Sequence, residues 1–558
     1  MNISHASAVG TALIAILPSV VLASNNPAEP PDTVRDPWVW AGFAGGPSRV
    51  SVAHPLTTGP LRIDQPRFVF NGDGSRTFGF YGQCSVAVGQ HLVVALGYEM
   101  DFLGQRLPGT GTSQDADGAN GDGGQTTHPD GCDTLVAFSR LDGSLAWTAE
   151  VPRAVLNSWS APLIDTLHGT VIVATGRSIT AFRLDDGSPA WSTPVGGVLV
   201  NASPVVTDDL SGRNRLFVTD HSYANDNTGR LICVNTDPFD AAVNPYEPGE
   251  IVWTLDLQAE TSGNSPAYRD GVVYLSTATG GAAWDQGTVR AYPATTDAAP
   301  SPLWVYEHTT PARFFSGVAV RGGGVYASSF SNHGGQFSAE TVRLDAADGS
   351  LRWSVPTNRT DTTPVPLGGG LVLVSGGIPF SDELLSIDSL PSLQMIFETP
   401  SGNAVRLWDT AQATHQDTNQ NGRWDRGEPF LSIGGWTIQP AVMQAGETVY
   451  AFVGQAPEAI RGGFFGPSES VAMVDLSRHP TDPRFVVEWG EGSGASPGLT
   501  GAEMYTVGEL GIHAYGAPRM PLDLVLRLWT DGLLPDFNAD GLVNFQDLQL
   551  ATQYALQN

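Results

Sequence analysis

The sequence predicts an all-β chain, an eight-bladed β-propeller of four-stranded blades with seven as the alternative count, plus a small helical calcium-loop module at the C-terminus. Three observations predict it. A glycine is followed four positions later by a tryptophan in four places, Gly143/Trp147, Gly187/Trp191, Gly249/Trp253 and Gly349/Trp353. Most of these pairs follow a strand-like run such as TLVAFSRL or SITAFRL. Between them the chain restarts on small residues and proline, as in NSWSAPLID, VNASPVVTD and SGNSPAYRD. A unit recurring every few tens of residues implies repeat architecture, because about four short strands cannot bury both faces alone and must stack on their neighbours.

Taken in order, the N-terminus reads as an export signal cleaved after Ala23, with the apolar run Ala12–Leu22 ahead of it, although MNISHAS carries no Arg or Lys. The propeller then occupies 24–517. Its units start at 157, 200, 262, 314, 362, 436 and 493, and the closing residues are Trp147, Trp191, Trp253, Trp304, Trp353, Phe397 and Trp489. Each closing ring is large and mostly apolar, suited to wedging between blades, and the Asp-Gly before several of them suits a tight turn. A calcium-loop insertion is expected at about 403–432. The last unit lacks a Trp strand, so LRIDQPRFVF (61–70) is expected to supply it and close the ring without leaving edges. Residues 518–558 form the C-terminal module.

Composition narrows function by exclusion. The net charge is −29 and no lysine occurs in 558 residues, which excludes Schiff-base and P-loop lysine chemistry. The acidity disfavours nucleic acid and anionic membranes as partners. No segment beyond the signal is long and apolar enough to span a membrane, and a monomer is expected. Of three cysteines, Cys84 and Cys132 are expected to pair and Cys233 to be a buried thiol. There is no CxxCH and no CxxC, hence no c-type haem or structural zinc.

The runs AFRLDDGSPAW and RLDAADGSLRW, with the opening DPWVWAGFAGGPSRVS (36–51), resemble the PQQ-like repeat. That unit builds the propellers of quinoprotein alcohol dehydrogenases and of non-enzymatic relatives such as outer-membrane assembly lipoproteins. The resemblance covers roughly 37–516 and implies fold more strongly than activity. A quinone enzyme of this type holds PQQ on an aromatic floor with Ca²⁺, an Arg or Lys and often a vicinal Cys pair. With no vicinal cysteines and no lysine here, PQQ is not expected.

Two loops carry defined chemistry. In DTNQNGRWDRGE, Asp417, Asn419, Asn421, Gly422 and Glu428 match D-x-[DN]-x-[DN]-G-x5-E. Ca²⁺ takes six to eight oxygens, and Asp417, Asn419 and Asn421 supply side-chain oxygens, Arg423 a carbonyl, Asp425 a direct or water-mediated contact and Glu428 two oxygens. No helix pattern flanks this loop. In DFNADGLVNFQD, Asp536, Asn538, Asp540, Asn544 and Asp547 take positions 1, 3, 5, 9 and 12, with the carbonyl of Leu542. Helical spacing flanks it, with Leu522, Leu526 and Trp529 on one face before and Leu548, Ala551 and Ala555 after. This segment resembles half of a type I dockerin, which implies a possible cohesin-like partner. Two Ca²⁺ sites are therefore expected. A third stretch, with Asp115, Asp117 and Asp122, has no defined loop pattern.

Enzyme motifs are thin. Ser496 in GASPG matches G-x-S-x-G only formally, since Pro497 and the repeat context give no strand-to-helix turn. His221 and His333 fall in loops without metal-ligand spacing. The expected function is thus a secreted, periplasmic or cell-surface calcium-binding scaffold for a protein or polysaccharide, without catalysis. The alternatives are a PQQ-dependent dehydrogenase and a component of polysaccharide-degrading machinery.

Overall fold

Eight radial sheets form a closed ring in the computed structural model. It describes residues 39–557 apart from 54–60, 81–83, 102–104, 106, 108–130, 154–157, 159, 222–228, 260, 262–263, 280–285, 310–313, 331–338, 378–389, 422–423, 426, 446–447, 456–469, 509, 517–524, 527–528, 531 and 533–541. The expected signal (1–23), His333 and Asp115, Asp117 and Asp122 lie outside the described residues.

The third blade shows the pattern, with Val205–Val206 innermost, then Arg215–Thr219, Arg230–Asn235 and Ile251–Asp256, each antiparallel to the next. Blades four to seven repeat it. In blade two the run Thr170–Arg183 turns back at Gly176 (φ 59°), and the Leu184 N–H donates to the Gly169 carbonyl at 2.9 Å, so one continuous run fills two strand positions. Blade eight takes Gly498–Leu499, Glu503–Gly508 and Gly511–Gly516 from the C-terminal end of the ring and Phe68–Phe70 from the N-terminal end. The seam is gripped by Glu503, which pairs with Arg67 at 2.7 Å and with Arg140 of blade one.

The recurring Gly and Trp act between blades. A Cβ on Gly187 would lie 2.5 Å from the Trp147 ring of the preceding blade, one on Gly249 2.8 Å from Trp191, and one on Gly349 2.5 Å from Trp304. All three glycines have positive φ, so the turn requires glycine for its backbone and for the indole seated on it. The indole N–H of Trp147 donates to the Leu184 carbonyl at 2.9 Å, and that of Trp304 to Ala346 at 3.0 Å. At the seam Phe68 takes the indole's place over Gly143, 2.7 Å from its Cβ position.

Three expectations need correction. Phe397 is not a closing residue; it lies in the third strand of blade six, Ser392–Glu398, and the closing ring is Trp408 in Ala404–Asp409. Trp408 pairs with Met395 as Trp353 pairs with Arg343. The spacing from Gly402 is two residues longer than elsewhere, which hid it, and the insertion therefore begins after Asp409. A short helix, α1 (Thr410–Thr414), capped by Asp409, precedes the first calcium-type loop where no helix was expected. Finally, Cys84 and Cys132 are separate buried thiols with no disulfide. Cys84 precedes the strand Ala87–Val88 and Cys132 the strand Thr134–Ser139, the strand Leu92–Met100 runs between those two, and two strand spacings of ~4.8 Å exceed disulfide reach. Cys233 is buried as expected.

Most of the hydrophobic core lies between blades, and the axial segment adds Trp40, Phe43, Ala44 and Ala53 to it. Leu373, Met395 and Trp408 of blade six pack with Val442, Ala451 and Ala472 of blade seven, for example. The axis is occupied by the chain's own residues 40–53. Trp40 bridges Val88 of blade one, the Ile164 N–H donates to Ala41, Tyr268 N–H to Pro47 and Val320 N–H to Ser48, and Val52 pairs in parallel with Val442 of blade seven. These contacts visit the innermost strands of blades one, two, four, five and seven.

Candidate functional site

Strand polarity sorts the loops. Connections between second and third strands, and from each fourth strand to the next blade, leave from one face. The insertion that follows Asp409, in its described residues, leaves from that face. The inner rim of the face is built from the small-residue starts. The Ala161 N–H donates to Ser203 Oγ at 2.9 Å and the Ser203 N–H to Ser265 Oγ at 2.9 Å, stitching blades two, three and four. The Thr363 N–H meets Gln439 Oε1 at 2.8 Å, bridging blades six and seven.

Arg49 closes the axis beneath this rim. Its guanidinium is 1% exposed and donates to four carbonyls: Phe43 (2.6 Å), Ser203 (3.1 Å), Pro204 (2.6 Å) and Pro266 (3.1 Å). Desolvation pulls its pKa down to about 9. A planar fork of donors suits carbonyls that converge from separate segments.

On the same face, between blades five and seven, an aromatic and polar cluster forms. Trp436, half-buried, meets the Phe330 ring edge-to-face at 4.3 Å and 69°, and Phe315 packs on Phe330 at 5.4 Å. The Arg359 guanidinium lies 5.5 Å from the Phe330 centroid, and burial lowers its pKa to about 9. Asp361 accepts the Thr437 N–H at 2.7 Å. Asp361 is only partly exposed, and burial raises its pKa to about 7. The Trp436 indole nitrogen sits beside that carboxylate without an aligned hydrogen bond. The sequence left these residues unmarked. The available signal was that the starts FFSGVAVRG and WTIQPAVMQ carry aromatics, a feature shared with NSWSAPLID and so not specific to this cluster.

The first calcium-type loop is brought together in its described part. The Asn421 N–H donates to Asp417 Oδ1 at 3.1 Å and Asn419 Oδ1 at 3.0 Å, and Asn419 and Asn421 both donate side-chain N–H to Asp425 Oδ2, at 2.5 and 2.6 Å. Glu428 is buried and accepts from the Asp425 N–H (2.9 Å), from the Thr418 N–H (2.7 Å) and hydroxyl (2.9 Å), and pairs with His415 (2.9 Å). These contacts, the Asp425 N–H first, hold its pKa near about 2. Gly422 and Arg423 lie outside the described residues.

In the C-terminal loop Asp536, Asn538 and Asp540 also lie outside them. Asn544 and Asp547 cap helix α2 (Phe545–Gln557) reciprocally: Asp547 Oδ2 accepts the Asn544 N–H at 2.7 Å, and Asn544 Oδ1 accepts the Gln546 N–H at 2.7 Å. Leu542 is exposed. Before the loop Val525 is buried, Leu526 half-exposed and Trp529 partly buried.

Elsewhere His221 is buried, and desolvation takes its pKa to about 3, fitting a core histidine. Ser496 lies in the bend before Gly498–Leu499, not at a strand-to-helix turn. On the opposite face a cavity of about 420 Å³ is lined by His168, Asp208, Asp209 and Asp237, among others. There His168 contacts Asp165 at 2.6 Å and Asp237 at 2.8 Å through its two ring nitrogens. Among the described residues no group of three or more His, Cys, Asp or Glu is arranged to hold a metal, and no helix is long and apolar enough to cross a membrane.

Comparison with known proteins bears on the repeats. A sequence profile of the family described as outer membrane protein assembly factor BamB matches residues 112–238 and 241–363, less than half of the chain. No curated protein matches in sequence. Among solved structures, a europium-containing methanol dehydrogenase is 11% identical over 93% of this chain and 96% of that one, with a TM-score of 0.47. BamB from Moraxella catarrhalis is 12% identical over 70% and 90%, with a TM-score of 0.43. The C-terminal WD40 domain of Sif2 is 8% identical over 82% and 100%, with a TM-score of 0.43. The chain is an eight-bladed propeller whose residues 112–238 and 241–363 are similar to the repeats that the BamB profile describes.

Proposed function

We propose that this protein is an exported, calcium-stabilised binding scaffold without catalysis of its own, presenting its ligand surface on the loop-bearing face. The observation that carries the reading is the filled axis. Residues 40–53 cross the innermost strands, and Arg49 is saturated by carbonyls of its own chain, so the centre is packed structure. What is left for recognition is the broad rim and its loops, the usual place for binding residues on a rigid ring.

Calcium belongs to this reading through the loops. Asp417, Asn419, Asn421 and Asp425 already converge, and turning the two Asn amides would present oxygens in place of N–H groups. With the Arg423 carbonyl and Glu428 they make a donor set of hard oxygens suited to Ca²⁺. The second set is Asp536, Asn538, Asp540, Leu542, Asn544 and Asp547.

A second reading, quinone-dependent oxidation, draws on Asp361, whose pKa of about 7 suits a general base, near Arg359. The chain fits a quinone poorly: its three cysteines are widely separated in sequence and the axis is filled. The deciding measurement is reconstitution of the full chain with PQQ and Ca²⁺. The scaffold reading expects no bound quinone absorbance and no alcohol-dependent dye reduction. A quinone band accompanied by turnover would overturn it.

A further inference from the structure

The Trp436 cluster is built in a way that packing alone does not explain. Thr437 is β-branched yet holds φ at 57°, a strained conformation that persists only where the surroundings impose it and that gathers at functional sites. The surroundings here are specific. Asp361 takes the Thr437 N–H, Ser375 Oγ accepts the Gly435 N–H at 2.9 Å, and the Trp436 N–H donates to Gly377 at 3.3 Å. The strain thus fixes one indole, half-buried, at the inner rim of the loop face. Its ring nitrogen lies beside the Asp361 carboxyl without an aligned hydrogen bond, and a hydroxyl, which both accepts and donates, can join the two groups.

The ligand chemistry follows from the groups present. Phe315 and Trp436 offer partly exposed apolar ring surface, Asp361 offers a carboxyl acceptor beside it, and Arg359 lies behind Phe330. A hexose ring matches this set, with an apolar C–H face for the indole and hydroxyls that donate to a carboxylate and accept from an N–H. A net charge of −29 disfavours anionic polymers. We propose that Trp436, Asp361 and Phe315 form a subsite for a neutral polysaccharide, one sugar ring stacking on Trp436 with its hydroxyls bonded to Asp361. This rests on the scaffold reading of the same face and names its ligand class.

The test is calorimetric titration of the full calcium-loaded chain with cellohexaose, mannohexaose and xylohexaose, with tryptophan fluorescence as a second readout. At least one should bind, and Trp436→Ala and Asp361→Asn should each weaken it at least about tenfold. Trp436→Phe should recover most of the loss, which separates a lost ring from a damaged fold. Trp489→Ala, a 40% exposed indole on the outer strand of blade seven, should bind as the parent does. Binding unchanged in Trp436→Ala overturns the proposal, as does failure of all three sugars at millimolar concentration. That failure in a chain that also takes up no quinone overturns the glycan assignment alone and leaves the scaffold reading standing. Capture of a protein on this face with no sugar bound counts against the proposal equally.

Discussion

At the residue scale, single side chains do work that crosses blade boundaries. His168 of blade two reaches Asp165 in its own blade and Asp237 in blade three. The hydrogen bond to Asp165 is the main reason its pKa is raised. Because the folded pKa exceeds the unfolded value of about 6.5, the stabilisation is complete below that value and is lost as pH rises through the folded pKa. Comparing urea midpoints of the parent and His168→Gln across pH 5–9 should show a difference that is flat at the acid end and shrinks above neutrality. A difference that grows with pH would show that the imidazole is neutral in the fold. Gly349 makes a sharper case. With φ at 72° and Trp304 2.5 Å from its Cβ position, Gly349→Ala meets both strain and a ring clash, and a loss of about 2–3 kcal/mol is expected by chemical denaturation.

At the scale of elements, the insertion after Asp409 shows how a segment without a blade of its own is held. Helix α1 is capped by Asp409, the Leu431 N–H returns to Thr414 Oγ1 at 2.8 Å, and the Trp424 indole N–H donates to the Glu428 carbonyl at 3.1 Å. Adding Ca²⁺ at one hundred times its Kd should stabilise the fold by about 2.7 kcal/mol per site if only the native state binds. Calcium titration should give two ions per chain, and Asp417→Ala and Asp536→Ala should each remove one. Unchanged stoichiometry in both variants would refute the loop assignments, and a chelator that leaves the melting temperature unmoved would refute the stabilising role. The candidate calcium loop was legible in sequence because the residues proposed to bind lie within twelve consecutive positions. The Trp436 cluster was not, because Phe315, Phe330, Arg359, Asp361 and Trp436 span more than a hundred residues of chain and meet only when blades five to seven are curved into a ring.

At the scale of the whole molecule, two N-terminal devices complete the ring. Phe68–Phe70 supplies the outermost strand of blade eight, and residues 40–53 fill the axis. Arg49 ties that axial segment to blades three and four through buried carbonyls. Arg49→Met leaves those carbonyls without donors and should cost roughly 3 kcal/mol or more, read as a lower guanidinium midpoint. Arg49→Lys should recover little, since one ammonium cannot span carbonyls from separate segments as a planar fork does. An Arg49→Met midpoint equal to the parent's would show that the segment is a passenger on the ring.

The sequence by itself determined the repeat and the N-terminal segment that closes the ring, favoured eight blades over seven, and marked the candidate calcium loops. Each of these is written in residues that are near neighbours in the chain or recur at a steady spacing. Only the tertiary structure decided the rest. It seated Trp147, Trp191 and Trp304 each on the next blade's glycine, exchanged Phe397 for Trp408 and separated Cys84 from Cys132 by an intervening strand. It also filled the axis around Arg49 and assembled the Trp436 cluster. The physical reason is closure: a ring brings residues from distant blades to one rim, and no local pattern in the chain records which of them will face each other.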